Sequence, residues 1–216
     1  MTDGGAPVEP LLDHLVYAVP DLAAAVDRWH EQTGLLPAAG GRHLGLGTRN
    51  YLVRLGPTAY LEIIGIDVEH PPGPGAPVPF GVDRIDAPQL LTWAVHPPDI
   101  DEALAAYAGA GAELGPARAM SRRTPSGEVL QWRLATTVPL PFGGVVPFLI
   151  DWGSATHPAS DPALPTAHLV ALSAAHPDPP AVQRVLSAAG LALDVTAGPV
   201  GLVATLDTPR GLVTVR

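Results

Sequence analysis

The chain has 216 residues, 47% hydrophobic and 15% charged, enough to bury a sizeable core in one large domain or two small ones. Twelve Lys and Arg against 21 Asp and Glu give a net charge of −9, which argues against nucleic acid or an anionic membrane as partner. There is no cysteine, so disulfides, thiolate metal sites and a cysteine nucleophile are excluded, and any metal must rest on His, Asp or Glu.

Residues 1–10, MTDGGAPVEP, read as a disordered leader with no basic-then-apolar signal pattern. No apolar run approaches the ~20 residues of a membrane span, so a cytoplasmic location is expected. From Leu11, LLDHLVYAV alternates as a strand with Leu12, His14, Val16 and Ala18 on one face. Pro20 and Asp21 end that strand and cap a helix whose apolar stripe is Leu22, Ala25, Val26 and Trp29, stopped at Gly34. A Gly-rich turn, GGRHLGLG, then leads into TRNYLVRL and TAYLEIIGI, two β-rich runs split by Gly56 and Pro57. The same order recurs from Gln89, with Asp99 and Glu102 opening a helix that Gly109 and Gly111 stop, and again from Ala167, with Asp178 as the cap.

The reading is an α+β chain of three βαβββ modules, 11–66, 89–153 and a shorter 167–216, joined by a Pro-rich linker at 67–88 and a second at 154–166. One amphipathic helix on a curled sheet cannot bury the sheet's inner face alone, so modules must pair. The third module either extends the sheet or pairs across a homodimer, and a homodimer is expected.

Glu62, between Leu61, Ile63 and Ile64, needs a cation, a donor or a ligand to sit in a core strand. His43, flanked by glycines and next to Arg42, either transfers a proton or pins the turn. Thr48 and Asn50 follow it and serve either a turn or a ligand. In LQWRLA only one of Trp132 and Arg133 faces a given side; turned inward with Gln131, Arg133 anchors an anion, and turned outward it lies on the rim. Candidate substrate contacts are therefore Arg42, Asn50, Gln131 and Arg133, with His43 and Glu62 as catalytic candidates. Tyr60, Trp93, Phe148 and Trp152 read as core or cavity-wall aromatics. No GxSxG, Walker-type or helix-opening GxGxxG motif is present, so no nucleotide cofactor is expected.

LDHLVYAVPDLAAAVDRW at the head of a βαβββ unit resembles the vicinal-oxygen-chelate superfamily of glyoxalases, bleomycin-resistance proteins and extradiol dioxygenases. Together with GGRHLGLGTRNYLVRLG, YLEIIG, LQWRLA and PFLIDW it is similar to the glyoxalase-like domain group, over residues 11 to 152 and more weakly from 166 onward. The resemblance implies paired modules in a cupped, incompletely closed barrel, with metal ligands on the first and last strands of each module. Carried over, His14, Glu62 and Asp151 are the implied ligands of a divalent metal (Fe, Zn, Mn or Ni), while the fourth position falls near Leu90, which cannot ligate. Without a metal, His14 and Glu62 form a buried polar pair. The implied activity is that of a lyase, isomerase or dioxygenase on a small oxygenated ligand. The alternative is a metal-free binding or drug-sequestration protein of the bleomycin-resistance type.

Overall fold

Asp21 and Asp99 set the frame. Each ends a strand in extended conformation and turns its carboxylate onto the first N–H groups of a helix, Ala24 for Asp21 and Asp101 with Glu102 for Asp99. The structure, a computed structural model, describes residues 11–216; the expected leader at 1–10 lies outside the described residues. The first group of elements is β1 (Leu12–Ala18), α1 (Leu22–Thr33), β2 (Ala38–His43), β3 (Thr48–Arg54) and β4 (Tyr60–Ile66). The second is β5 (Gln89–Val95), α2 (Ile100–Ala110), β6 (Arg118–Arg123), β7 (Val129–Ala135) and β8 (Phe148–Asp151). Both helices end on a left-handed glycine, Gly34 and Gly111.

Eight strands close into a barrel in the order β1-β4-β3-β2-β6-β7-β8-β5. The implied open cup is thus a closed ring. The two seams are antiparallel: β1 meets β5 with Val16 opposite Thr92, and β2 meets β6 with His43 opposite Arg122. Inside each half the first and last strands run parallel, Val16 opposite Glu62 and Ala94 opposite Phe148. Because side chains alternate along a strand, Leu15, Leu61, Ile63, Trp93 and Leu149 point outward into one large core with α1 and α2. His14, Val16, Glu62, Ile64, Ala94, Trp132 and Ile150 fall on the inner side.

The last group repeats the elements but not the sheet. Strands β9 (His168–His176), β10 (Asp194–Ala197), β11 (Gly201–Thr208) and β12 (Gly211–Val215), with α3 (Pro179–Ala188), form a separate four-stranded sheet ordered β10-β9-β11-β12. Its first strand lies between the second and third, whereas β1 pairs with the last strand of its own group. Leu172, Leu202, Leu206, Val182 and Val185 join the outer core, so this unit covers the outside of the barrel.

The linkers are walls. A kinked pair of 3-10 turns at Pro79–Arg84 brings Val78 and Phe80 onto the inner cluster, and Ala159 and Leu164 pack on Leu52 and Tyr60. Among the described residues no helix is long and apolar enough to cross a membrane.

Candidate active site

The barrel encloses a cavity of about 440 Å³, and its polar groups gather at one end. Glu62 on β4 is 4% exposed and lies among apolar neighbours, held by a hydrogen bond from Asn50 Nδ2 to Oε1. Asn50 in turn accepts from Arg122 Nη1 at 3.0 Å through Oδ1, so Arg122, Asn50 and Glu62 form a chain of alternating donors and acceptors. Gly40 makes room for it: a Cβ there would lie 2.3 Å from both Arg122 Nη1 and Asn50 Oδ1.

His14 faces the same carboxylate. Its Nε2 is 3.7 Å from Glu62 Oε2, too far for a hydrogen bond, while its Nδ1 is 2.6 Å from Asp13 Oδ1. Asp13 is fully buried at a register shift between β1 and β5, where the local irregularity lets adjacent side chains meet. Its second oxygen, Oδ2, accepts from His96 Nδ1 at 3.1 Å, His157 Nε2 at 3.0 Å and Trp152 Nε1 at 2.9 Å. Burial by itself would raise the Asp13 carboxyl, but the bonds from His14, His157 and His96 outweigh it and hold the group well below its ordinary value. An Asp13 that is ionised fixes the His14 proton on Nδ1 and leaves the Nε2 lone pair aimed into the cavity. Tyr60 stacks on the imidazole at 4.7 Å, and burial, then Asp13 and Glu62, push its hydroxyl well above the usual phenol range.

His43 is also inside, with Nε2 3.6 Å from Glu62 Oε1 and Nδ1 2.9 Å from Thr48 Oγ1. It ends β2 rather than sitting in the turn. Burial pushes its pKa down to about 4; Glu62 opposes this, and Arg122 and His14 add to it. Burial thus favours the neutral imidazole of His43, which both bonds Thr48 and can accept a proton.

The other expected residues do not converge here. Asp151 lies on the outer side of β8, between inward Ile150 and Trp152, and pairs with Arg133 at 3.0 Å. Arg133 also reaches Asp101 at 3.2 Å, and it lines an outer surface groove together with Gln131 and Asp151. Once Trp132 turns inward, period-two alternation forces both of its neighbours out. Arg42, adjacent to inward His43, likewise points away and binds Asp67 at 3.0 Å and Glu69. The implied set of His14, Glu62 and Asp151 is not assembled. Nor is Leu90 the fourth corner: counting back from the caps Asp21 and Asp99 sets His14 against Thr92, and Leu90 belongs to the outer core.

Relatives with this fold commonly hold a divalent metal, and the donors decide whether this barrel center fits one. His14 Nε2 and Glu62 Oε2 are suitable donors, but the matching positions of the second half are Thr92 and Phe148, and the guanidinium of Arg122 stands beside them. His43 Nε2, 3.6 Å from Glu62 Oε1, is a third donor, but His14, His43 and Glu62 are not among the groups of described residues whose donor atoms lie close enough together for one ion, and catalytic sites use three protein ligands as a rule, so this set does not fit. Among the described residues two groups of three donors lie close enough for an ion, Asp13–His96–His157 and Asp67–Glu69–His70. In the first, His157 Nδ1 accepts the Ala159 N–H at 3.1 Å, which puts the His157 proton on Nε2, toward Asp13. In the second, Arg42 occupies both carboxylates.

Arg122 and Asp13 were not among the sequence candidates. The β2–β6 pairing sets Arg122 opposite His43, and the register shift beside His14 turns Asp13 inward; neither is marked by a local sequence pattern.

A family model described as a glyoxalase-like domain matches residues 12–190. No curated protein matches the sequence significantly. A hypothetical protein of Staphylococcus aureus superposes with a TM-score of 0.66 at 14% identity, over 94% of this chain and 97% of that one. A triple variant of 4-hydroxymandelate synthase from Streptomyces coelicolor gives 0.50 at 14% identity, over 95% and 62%. Methylmalonyl-CoA epimerase from Mycobacterium tuberculosis gives 0.42 at 19%, over 71% and 93%. At such identities the likeness is one of fold.

Proposed function

We propose, for a chain that belongs to the glyoxalase-like domain family, that the barrel cavity holds an enzyme site that moves a proton on a small oxygenated molecule. The observation that carries this reading is the 3.7 Å gap between His14 Nε2 and Glu62 Oε2, two proton acceptors aimed at one point inside the cavity. A reacting atom seated on the cavity side of this pair, roughly 3 Å from each, is within reach of both bases. Glu62 takes a proton from the carbon beside a carbonyl: the C–H bond breaks, an O–H bond forms on the carboxyl, and the electron pair moves onto the carbonyl oxygen. Arg122 carries the charge that develops there, pre-positioned by Asn50. On a 2-hydroxy carbonyl substrate His14, oriented by Asp13, takes the hydroxyl proton at Nε2, forming an N–H bond as the O–H bond breaks, and gives it to the former carbonyl oxygen. The step needs no metal, in keeping with the donor set. An isomerase or lyase outcome then depends on where the proton is returned.

A second reading, a metal-free binding protein, draws on the aromatic wall, where Trp132 and Trp152 lie 5.2 Å apart and Phe80 packs on Phe148 at 5.0 Å. One experiment separates the two. Small aldehydes, ketones and 2-oxo or 2-hydroxy acids are incubated with the protein in deuterated water and followed by NMR. Protein-dependent deuterium uptake next to a carbonyl, reduced about 100-fold or more in Glu62→Gln, is the expected result. Compounds that quench the cavity tryptophans yet neither exchange nor turn over would establish the binding reading instead.

A further inference from the structure

Arg122 is a buried cation without an acidic partner. It is 4% exposed, it borders the cavity, and among the described residues no carboxylate oxygen lies within 4.0 Å of its nitrogens. Its one side-chain hydrogen bond goes from Nη1 to Asn50 Oδ1. A guanidinium has five N–H donors; those of Arg122 not bonded to Asn50 are not sealed away from the cavity, so they are free to take an acceptor from a ligand there.

Glu62 does not serve as that partner. Asn50 stands between them, donating to the carboxylate and accepting from the guanidinium, so the amide holds the opposite charges apart. Gly40, which has no Cβ, gives this spacer its room. Arg118, two inward positions earlier on β6, lines the cavity at its exposed end and likewise has no acidic partner within 4.0 Å. A second positive charge therefore stands on the way in.

We infer that the ligand is a small organic monoanion, a carboxylate on a compact apolar body, with the carboxylate seated bidentate on Arg122 and the body against Trp132, Trp152 and Phe80. The planar fork of a guanidinium matches a carboxylate, and one guanidinium neutralises one charge. A dianionic phosphate would face Glu62 with a charge to spare. A volume of about 440 Å³ sits at the lower end of small-molecule sites, so a nucleotide or coenzyme thioester does not fit enclosed. The inference rests on the proton-transfer reading in placing the reacting carbon near Glu62 and in having Arg122 serve the carboxylate and the adjacent carbonyl oxygen through different N–H groups; carboxylate binding itself does not depend on it.

The test uses phenylacetate and 3-phenylpropanoate against their primary amides, which keep shape and lose charge. Binding is followed by calorimetry and by quenching of tryptophan fluorescence in the whole protein. Wild type is expected to bind each acid at least tenfold more tightly than its amide. Arg122→Gln is expected to erase that ratio, while Arg118→Gln slows acid association and leaves most of the ratio. Gly40→Ala, which keeps the guanidinium but crowds its bond to Asn50, is expected to lower acid affinity several-fold with little effect on the amides. Because Gly40→Ala and the wild-type ratio read the same contact, the test stands even if Arg122→Gln fails to fold.

Equal binding of acid and amide by wild type, a ratio that survives in Arg122→Gln, or no saturable binding of either acid overturns the inference. Arg122-dependent acid binding with no deuterium exchange on any compound keeps the anion site and removes the proton-transfer reading. Exchange on neutral ketones with no preference for acids does the reverse.

Discussion

The two halves of the barrel share a backbone plan and differ in what they put inside it. Helix caps and strand register set His14 against Thr92, Glu62 against Phe148, Asn50 against Leu134 and His43 against Met120. Four polar groups thus face one hydroxyl and three apolar side chains. Thr92 is fully buried and its Oγ1 has no partner among the described residues, and the Phe148 ring packs edge-on to His14 at 5.3 Å. A duplicated module frees one copy to act as a packed wall while the other carries ionisable groups. Burying a second carboxylate in place of Phe148 would add a desolvation cost and a like charge near Glu62. The polar contribution of the second half comes from the seam instead, where Arg122 crosses to His43 and Asn50.

If this division is right, the halves respond oppositely to substitution. Phe148→Ala empties a site that is 1% exposed and should cost about 3–5 kcal/mol in urea denaturation. Glu62→Gln keeps an acceptor for Asn50 and should change stability by about 1 kcal/mol or less while removing proton transfer. Similar stability losses for both variants would erase the distinction.

A smaller effect is expected at Asp13, which binds the polar half to its surroundings through His14, His96, His157 and Trp152. Asp13→Asn puts a neutral amide, itself partly a donor, among four donors and should cost about 2–4 kcal/mol. A merely structural role would stop there. A positioning role adds a change in the His14 nitrogen shifts, because nothing then holds its proton on Nδ1. Unchanged His14 tautomer populations in the variant would limit Asp13 to a structural anchor.

Much of this plan was legible in the sequence, and its gaps have specific physical causes. Alternation in LLDHLVYAV put His14 on one face with Val16 and Ala18, the charge of Glu62 among apolar neighbours marked it out, the resemblance turned both inward, and the caps Asp21, Asp99 and Asp178 lie where helix-start patterns put them. The same alternation constrained Arg42 and Arg133, since neighbours of inward His43 and Trp132 must point out. Choosing the inward member of LQWRLA required weighing indole burial against a guanidinium, and the indole won with 8% exposure. Leu90 came only from the resemblance, and the helix caps place Thr92, not Leu90, at the position of His14; Asp13 faces inward through a register shift that alternation does not show. Arg122 depends on a β2–β6 seam between residues about 80 apart, which no local pattern encodes. The linkers' share in the cavity, through Val78, Phe80 and His157, was invisible for the same reason.

The smallest expected effect separates the two imidazoles within the polar half. In the folded protein His43 takes up a proton only near pH 4, whereas an unfolded histidine does so near its ordinary 6.5. Between those values the unfolded chain binds more protons than the folded one, so stability is complete above about pH 6.5 and falls as pH drops toward 4. His43→Gln can still pair with Thr48 but does not titrate, so its melting temperature should fall less over that window than the wild-type value does. Asp13 cannot produce the same slope: its carboxyl is held below the ordinary aspartate value, so its stabilisation is lost only at more acid pH. Parallel melting curves for wild type and His43→Gln between pH 6.5 and 4 would therefore mean that burial does not hold His43 neutral in the folded protein.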